Sequence, residues 1–174
     1  MISKEKIEFK WLTTLRGMYP IPKEKKAYYE VTFLEGAKYV ARSQVGWVSQ
    51  EFGKRKVNER VGDCQDSYAY DAQRGCKTHN GWQEDMGRKV TSGDPNADPN
   101  VVLSVAADRS NGTILFAVNG DWNTRFYDVR TNMILYPAVS GNDITISVNF
   151  GDKEFQYEPP DDSYKSLRAL LGKF

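Results

Sequence analysis

The chain is poor in the residues that most catalysis and metal binding use. It has one histidine, His79, and two cysteines, Cys64 and Cys76. Two cysteines do not make a disulfide framework of the kind small secreted domains need. A zinc site needs about four Cys or His ligands, and three exist in all. There is no GxSxG elbow, no GxxxxGK[ST] loop and no GxGxxG turn. No apolar run approaches the ~18 residues of a membrane span, and the start, MISKEKIEFK, lacks a signal-peptide core. A surplus of charge is missing too. Lys and Arg number 24 against 23 Asp and Glu, so no global field points to nucleic acid or membrane. These absences point to an intracellular, non-enzymatic chain with free thiols and no cofactor.

What the chain has in quantity is aromatic residues, 13% of the total with ten Tyr, and short alternating runs. Its 174 residues suit one domain with a sizeable core. Strands are expected at 27–34, 39–48, 67–71, 76–79, 101–107, 113–118, 133–140 and 144–150. Asn80-Gly81 and Asn111-Gly112 read as turns. Residues 120–132 read as a polar loop that Asn119-Gly120 launches, and GDPNADPN, 93–100, as an irregular one. The first 15 residues, with Ile7, Phe9, Trp11 and Leu12, read as an edge strand. Asp162-Ser163 reads as the cap of a short C-terminal helix, after an exit linker EPPDD at 158–162. Turn signals about every ten residues predict an all-β protein, two antiparallel sheets packed as a β-sandwich.

Candidate chemistry is sparse. Cys76 lies three residues from His79, so on a strand the two face opposite ways. His79 itself is expected to bond backbone in its hairpin. Asp94, Asn96, Asp98 and Asn100 alternate as calcium ligands do, but Pro99 and Val105 stand where such a loop needs Gly and Glu. A plain insertion is the better reading. Basic residues gather at 23–26 (Lys23, Lys25, Lys26) and 53–60 (Lys54, Arg55, Lys56, Arg60). If these loops met, they would offer phosphate contacts, and an RNA or nucleic-acid module is the alternative reading. Trp47, Phe116, Tyr136 and Phe150 lie in expected strands and read as core. Trp82 and Trp122 follow Asn-Gly turns in polar segments. They read either as partner anchors or as covers over a core edge.

In order along the chain, YYEV (28–31), RSQVGWV (42–48), VGDCQDSYAYD (61–71), KTHNG (77–81), GD (93–94), LSVAADRSNGTILFAVNG (103–120), LYPAVSG (135–141) and VNFG (148–151) resemble the signatures of the SPRY domain family. The chain departs from that pattern in the inserted PNADPN (95–100) and in Leu103-Ser104, where glycine is usual. The resemblance implies a concanavalin-like jelly roll over 1–157, with its signature core at 27–151 and the linker and helix at 158–174. It also implies a non-catalytic module that binds a protein or peptide through loops, monomeric as an isolated domain and part of a larger protein or complex. Carried onto this chain, the family's ligand face falls on 16–26, 49–60 and 141–143. Arg16, Tyr19, Phe52, Arg55 and Asn142 are the candidate contacts there, with Trp82 and Trp122 beside them.

Overall fold

The computed structural model describes residues 6–34, 42–54, 58–85, 100–126 and 129–172. Two sheets face one another. One runs β1 (Ile7–Phe9), β12 (Ile144–Asn149), β3 (Lys26–Phe33), β8 (Val102–Asp108), β9 (Thr113–Val118), β10 (Asp121–Phe126). The other runs β2 (Thr13–Arg16), β11 (Leu135–Asn142), β4 (Arg42–Ser49), β5 (Ser67–Asp71), β6 (Cys76–His79), β7 (Trp82–Asp85). A short strand, β13 (Lys165–Ser166), joins β3 in parallel and leads into helix α1 (Leu167–Leu171).

The fold class agrees with the sequence reading, and the differences have local causes. The N-terminal segment is two strands that cap the edges of opposite sheets, because Ile7 pairs Ile146 in one and Leu15 pairs Val139 in the other. Residues 120–132 are not all loop. Asn119 and Gly120 both take positive φ, the conformation of a tight two-residue hairpin turn, and β10 folds back on β9. Asn80 and Gly81 do the same and return the chain as β7, a strand the polar sequence WQED concealed. The helix is capped at Ser166, whose Oγ accepts the Ala169 N–H, and not at Asp162-Ser163. The expected start of the fourth strand, 39–41, and most of the 93–100 insertion lie outside the described residues.

Strand alternation sorts the core. On β3, Tyr29 and Val31 point between the sheets, where they meet Trp47, Val105, Phe116 and Ile146. The Tyr29 ring packs edge-on to Trp47, with centroids 5.1 Å apart. Its hydroxyl crosses the sandwich to the Gly46 carbonyl at 2.7 Å. Tyr28 and Glu30 point the other way, yet Glu30 is only 1% exposed. The C-terminal segment covers them. Phe155 packs edge-on to Tyr28, Tyr164 is buried in the same cluster, and the Tyr157 carbonyl oxygen lies 3.0 Å from the Tyr28 hydroxyl. Both Glu30 oxygens accept backbone N–H groups, from Gln156 at 3.0 Å and from Tyr157 at 2.9 Å. Residues 155–164, expected in part as a linker, thus form a strap across the outer face of the first sheet, and Leu167 of α1 then enters the core between the sheets.

Replacing Glu30 by Ala should strand both N–H groups and destabilise the domain by about 1–3 kcal/mol in urea denaturation. Glu30→Gln, which keeps one acceptor oxygen, should cost less. Equal stability of Glu30→Ala and the parent would mean that the strap is held by other contacts.

Candidate functional site

Sheet register decides which candidate residues meet. Ser49 at the end of β4 pairs with Leu135 at the start of β11. The chain after β2 runs to the same end, because Gly17 N–H bonds the Pro137 carbonyl and Ile21 N–H bonds that of Leu135. The segment 17–25 and the loop after Ser49 are therefore neighbours. Arg16 is exposed, and its guanidinium lies 4.7 Å from the centre of the Tyr136 ring, a cation–π contact. Phe52 and Tyr136 are both half-buried against Val48, Val61, Ala69 and Ala138 on the outer face of the second sheet. Tyr136, expected as core, thus stands on an outer face. Leu135 and Val139 face the core, so strict alternation puts Tyr136 outside with Ala138, but the continuous apolar run LYPAV hides that alternation.

The loops are held from beneath. Ser140 Oγ accepts the Val61 N–H at 2.9 Å and lies 2.7 Å from Thr14 Oγ1, which itself donates to the Glu59 carbonyl. Gly62 donates its N–H to Ser67 Oγ, and its carbonyl accepts from Thr78 Oγ1. A Cβ at Gly62 would meet the Thr78 side chain at 2.4 Å, and φ there is +96°, so this anchor requires glycine. The 17–25 segment is fixed by Arg109, whose Nη1 donates to the Ile21 carbonyl at 2.7 Å and whose N–H bonds that of Lys25. Met18 and Tyr19 remain exposed at its tip.

The other candidates lie elsewhere. Asn142 ends β11 opposite Arg42, six residues beyond Tyr136, about 20 Å away at ~3.3 Å per residue. It does not share a face with Arg16, Tyr19 and Phe52. Arg55 lies outside the described residues. Trp82 is on β7 at the far edge of the sheet, 54% exposed, with Lys77 Nζ 5.8 Å from its ring. Trp122 is on β10, not in a loop. It packs 5.9 Å from Tyr28 and donates Nε1–H to the Glu158 carbonyl, so it covers a core edge.

The basic loops are largely matched by acids. Lys23 faces Glu24, Lys54 bonds Glu51, and Arg60 bonds Asp63 at 2.9 Å. Lys26 lies between Asp108 and Asp161. The Arg55 and Lys56 part of the second cluster lies outside the described residues. His79 presents Nδ1 to the Ser67 carbonyl at 2.8 Å and stacks flat on Tyr68. A carbonyl only accepts, so Nδ1 carries the proton. Burial pushes the Cys64 and Cys76 thiols above their ordinary range, the reverse of an activated thiolate. Among the described residues no group of three or more His, Cys, Asp or Glu is placed to hold a metal. No described helix is long and apolar enough to cross a membrane.

Asp108 is a turn residue. Burial raises its pKa, but the Ser110 hydroxyl and N–H, with Lys26, outweigh burial and hold the carboxyl below its usual range. A depressed folded-state value adds stability above the unfolded pKa and loses it as pH falls through the folded one. The stability of the parent should therefore drop below about pH 4 more steeply than that of Asp108→Asn, as followed by urea midpoints. Parallel profiles would remove Asp108 from the acid response.

Among families of known domains, the model described as SPRY domain matches residues 26–153 of this chain.

Proposed function

The chain belongs to the SPRY domain family, and on that premise we propose that it recognises a partner protein or peptide through Arg16, Tyr19, Phe52 and the loops that carry them. SPRY domains are generally non-catalytic modules for protein–protein interaction. The observation that carries the reading is the convergence of Arg16, Tyr136 and Phe52 where two anchored loops adjoin. Arg and Tyr are the side chains that most often dominate interface energies. Loops pinned by buried bonds present them with little ordering cost on binding. Arg55, in the second of these loops, belongs to the same reading. Asn142 and Trp82 belong to other parts of the surface and are secondary contacts in it.

The nucleic-acid reading draws less support. Its phosphate contacts would have to come from lysines and arginines that mostly face carboxylates already. Binding by that route would weaken steeply as salt rises.

Affinity capture with the parent and with variants separates these readings. Tyr19→Ala combined with Phe52→Ala should reduce partner binding by roughly thirtyfold, about 2 kcal/mol, while Asn142→Ala changes it little. Thermal melts of each variant establish that the fold persists. Undiminished capture by the double variant would place the partner on a different face. Capture of nucleic acid that disappears between low and moderate salt would favour the alternative.

A further inference from the structure

Among the described residues, five of the six large apolar side chains left exposed lie in one short segment: Trp11 (79% exposed), Leu12, Leu15, Met18 (74%) and Tyr19. Such clustering on a small domain marks a contact surface. Beside it, between the two sheets, opens a pocket of about 180 Å³ walled by Ile7, Leu15, Met18, Val139, Val148 and Phe150. Its lining is almost wholly apolar, and its volume suits one large side chain.

The pocket borders an open sheet edge. Among the described residues, β2 is the outermost strand of its sheet and pairs only with β11. Gly17 directs its N–H to the Pro137 carbonyl, so Leu15 and Thr13, two and four residues back, also face β11. Thr14 and Arg16 therefore turn their N–H and C=O groups away from the sheet. A row of outward backbone groups is a template for another strand. Residues 6–16, which hold β1 and β2, carry the exposed cations Lys6, Lys10 and Arg16 and one acid, Glu8, while the half-buried Glu59 reaches Thr14 through its carbonyl. Among the described residues none of these three cations is in an ion pair.

We propose that the β2 edge takes up an extended segment of a partner protein as an added strand, with one large apolar side chain in the pocket and acidic residues on its flanks. The backbone of Thr14 and Arg16 would supply the pairing and the pocket the selectivity, the usual division in strand addition. The surplus of cations around the edge favours an acidic flank. It also disfavours a second copy of this chain, which would bring the same cations together. The inference rests on the reading of this domain as a protein-binding module and names the class of its partner.

The probe is a displayed library of 12-residue peptides selected on the parent domain, with the strongest binder then made as a fluorescent peptide. It should alternate apolar and acidic residues and slow amide exchange at Thr14 and Arg16 at least tenfold. Leu15→Arg, which blocks the pocket mouth, and Thr14→Pro, which removes an outward N–H without breaking the β2–β11 ladder, should each weaken it at least tenfold. Thr14→Ala removes the same side-chain bonds as Thr14→Pro but keeps the N–H, so it should bind within about threefold of the parent. Peptides that ignore Thr14→Pro and leave exchange at Thr14 unchanged overturn the proposal. If those same peptides are lost on Phe52→Ala, the interaction-module reading survives and only the edge is wrong. A library without binders overturns the proposal as well. So does a dimer of the parent, in sedimentation equilibrium, that Leu15→Arg dissolves.

Discussion

The structure depends on a strand that is buried on both faces. Antiparallel sheets commonly leave one face to water, and alternation along a strand then separates apolar from polar residues. β3 does not have that freedom, for every residue from Ala27 to Val31 is buried. Its inward residues make the sandwich core, and Tyr29 ties the two sheets through the Gly46 carbonyl. Its outward residues include a carboxylate, and a carboxylate removed from water must find donors. Tyr28 and the N–H groups of Gln156 and Tyr157 supply them to Glu30. The strap is therefore part of the solution to burying β3, and the parallel pairing of β13 with Ala27 and Tyr28 completes it.

The same constraint explains Trp122. An indole on β10 next to Tyr28 extends the apolar floor on which the strap rests, and the Glu158 carbonyl satisfies its N–H. Trp82, in the equivalent hairpin of the other sheet, has no such cover and stays half in water over Lys77. Both tryptophans follow an Asn-Gly turn, so local sequence treats them alike. What separates them is a tail that reaches one sheet and not the other. No window around position 82 or 122 contains that information.

The sequence made the sandwich legible because its signals are local. Period-two alternation at Ser67–Asp71 and Cys76–His79 gave those strands their bounds, and Asn-Gly pairs marked the turns between them. Of the hidden strands at the sheet edges, β7 is exposed throughout and shows no alternation, whereas β10 alternates between exposed Asp121, Asn123 and Arg125 and covered Trp122, Thr124 and Phe126, a pattern its polar composition concealed. Candidate site residues were harder to group. Arg16, Tyr19, Phe52 and Asn142 come from chain segments far apart, and only the register of β11 tells which end each occupies. Since β11 spans the sheet, residues that flank its two ends are separated by its length. Arg16 joins Phe52 through Tyr136, an aromatic that its place in an apolar strand run sent to the core.

Anchoring divides the surface into parts with different capacities. The loops after β2 and β4 are tied by Arg109, Ser140 and Thr14 to strands beneath them, at Ile21 in the first and at Glu59 and Val61 in the second. That suits recognition by fixed side chains. The β2 edge offers something different, an unfinished ladder with an apolar hollow beside it, where affinity would come from backbone and selectivity from one pocket. The two lie on either side of a four-residue strand, with Arg16 facing the loops and Leu15 facing the hollow. Alternation on β2 thus joins the two surfaces, and a partner long enough to follow the edge would reach the loop tips without leaving the domain.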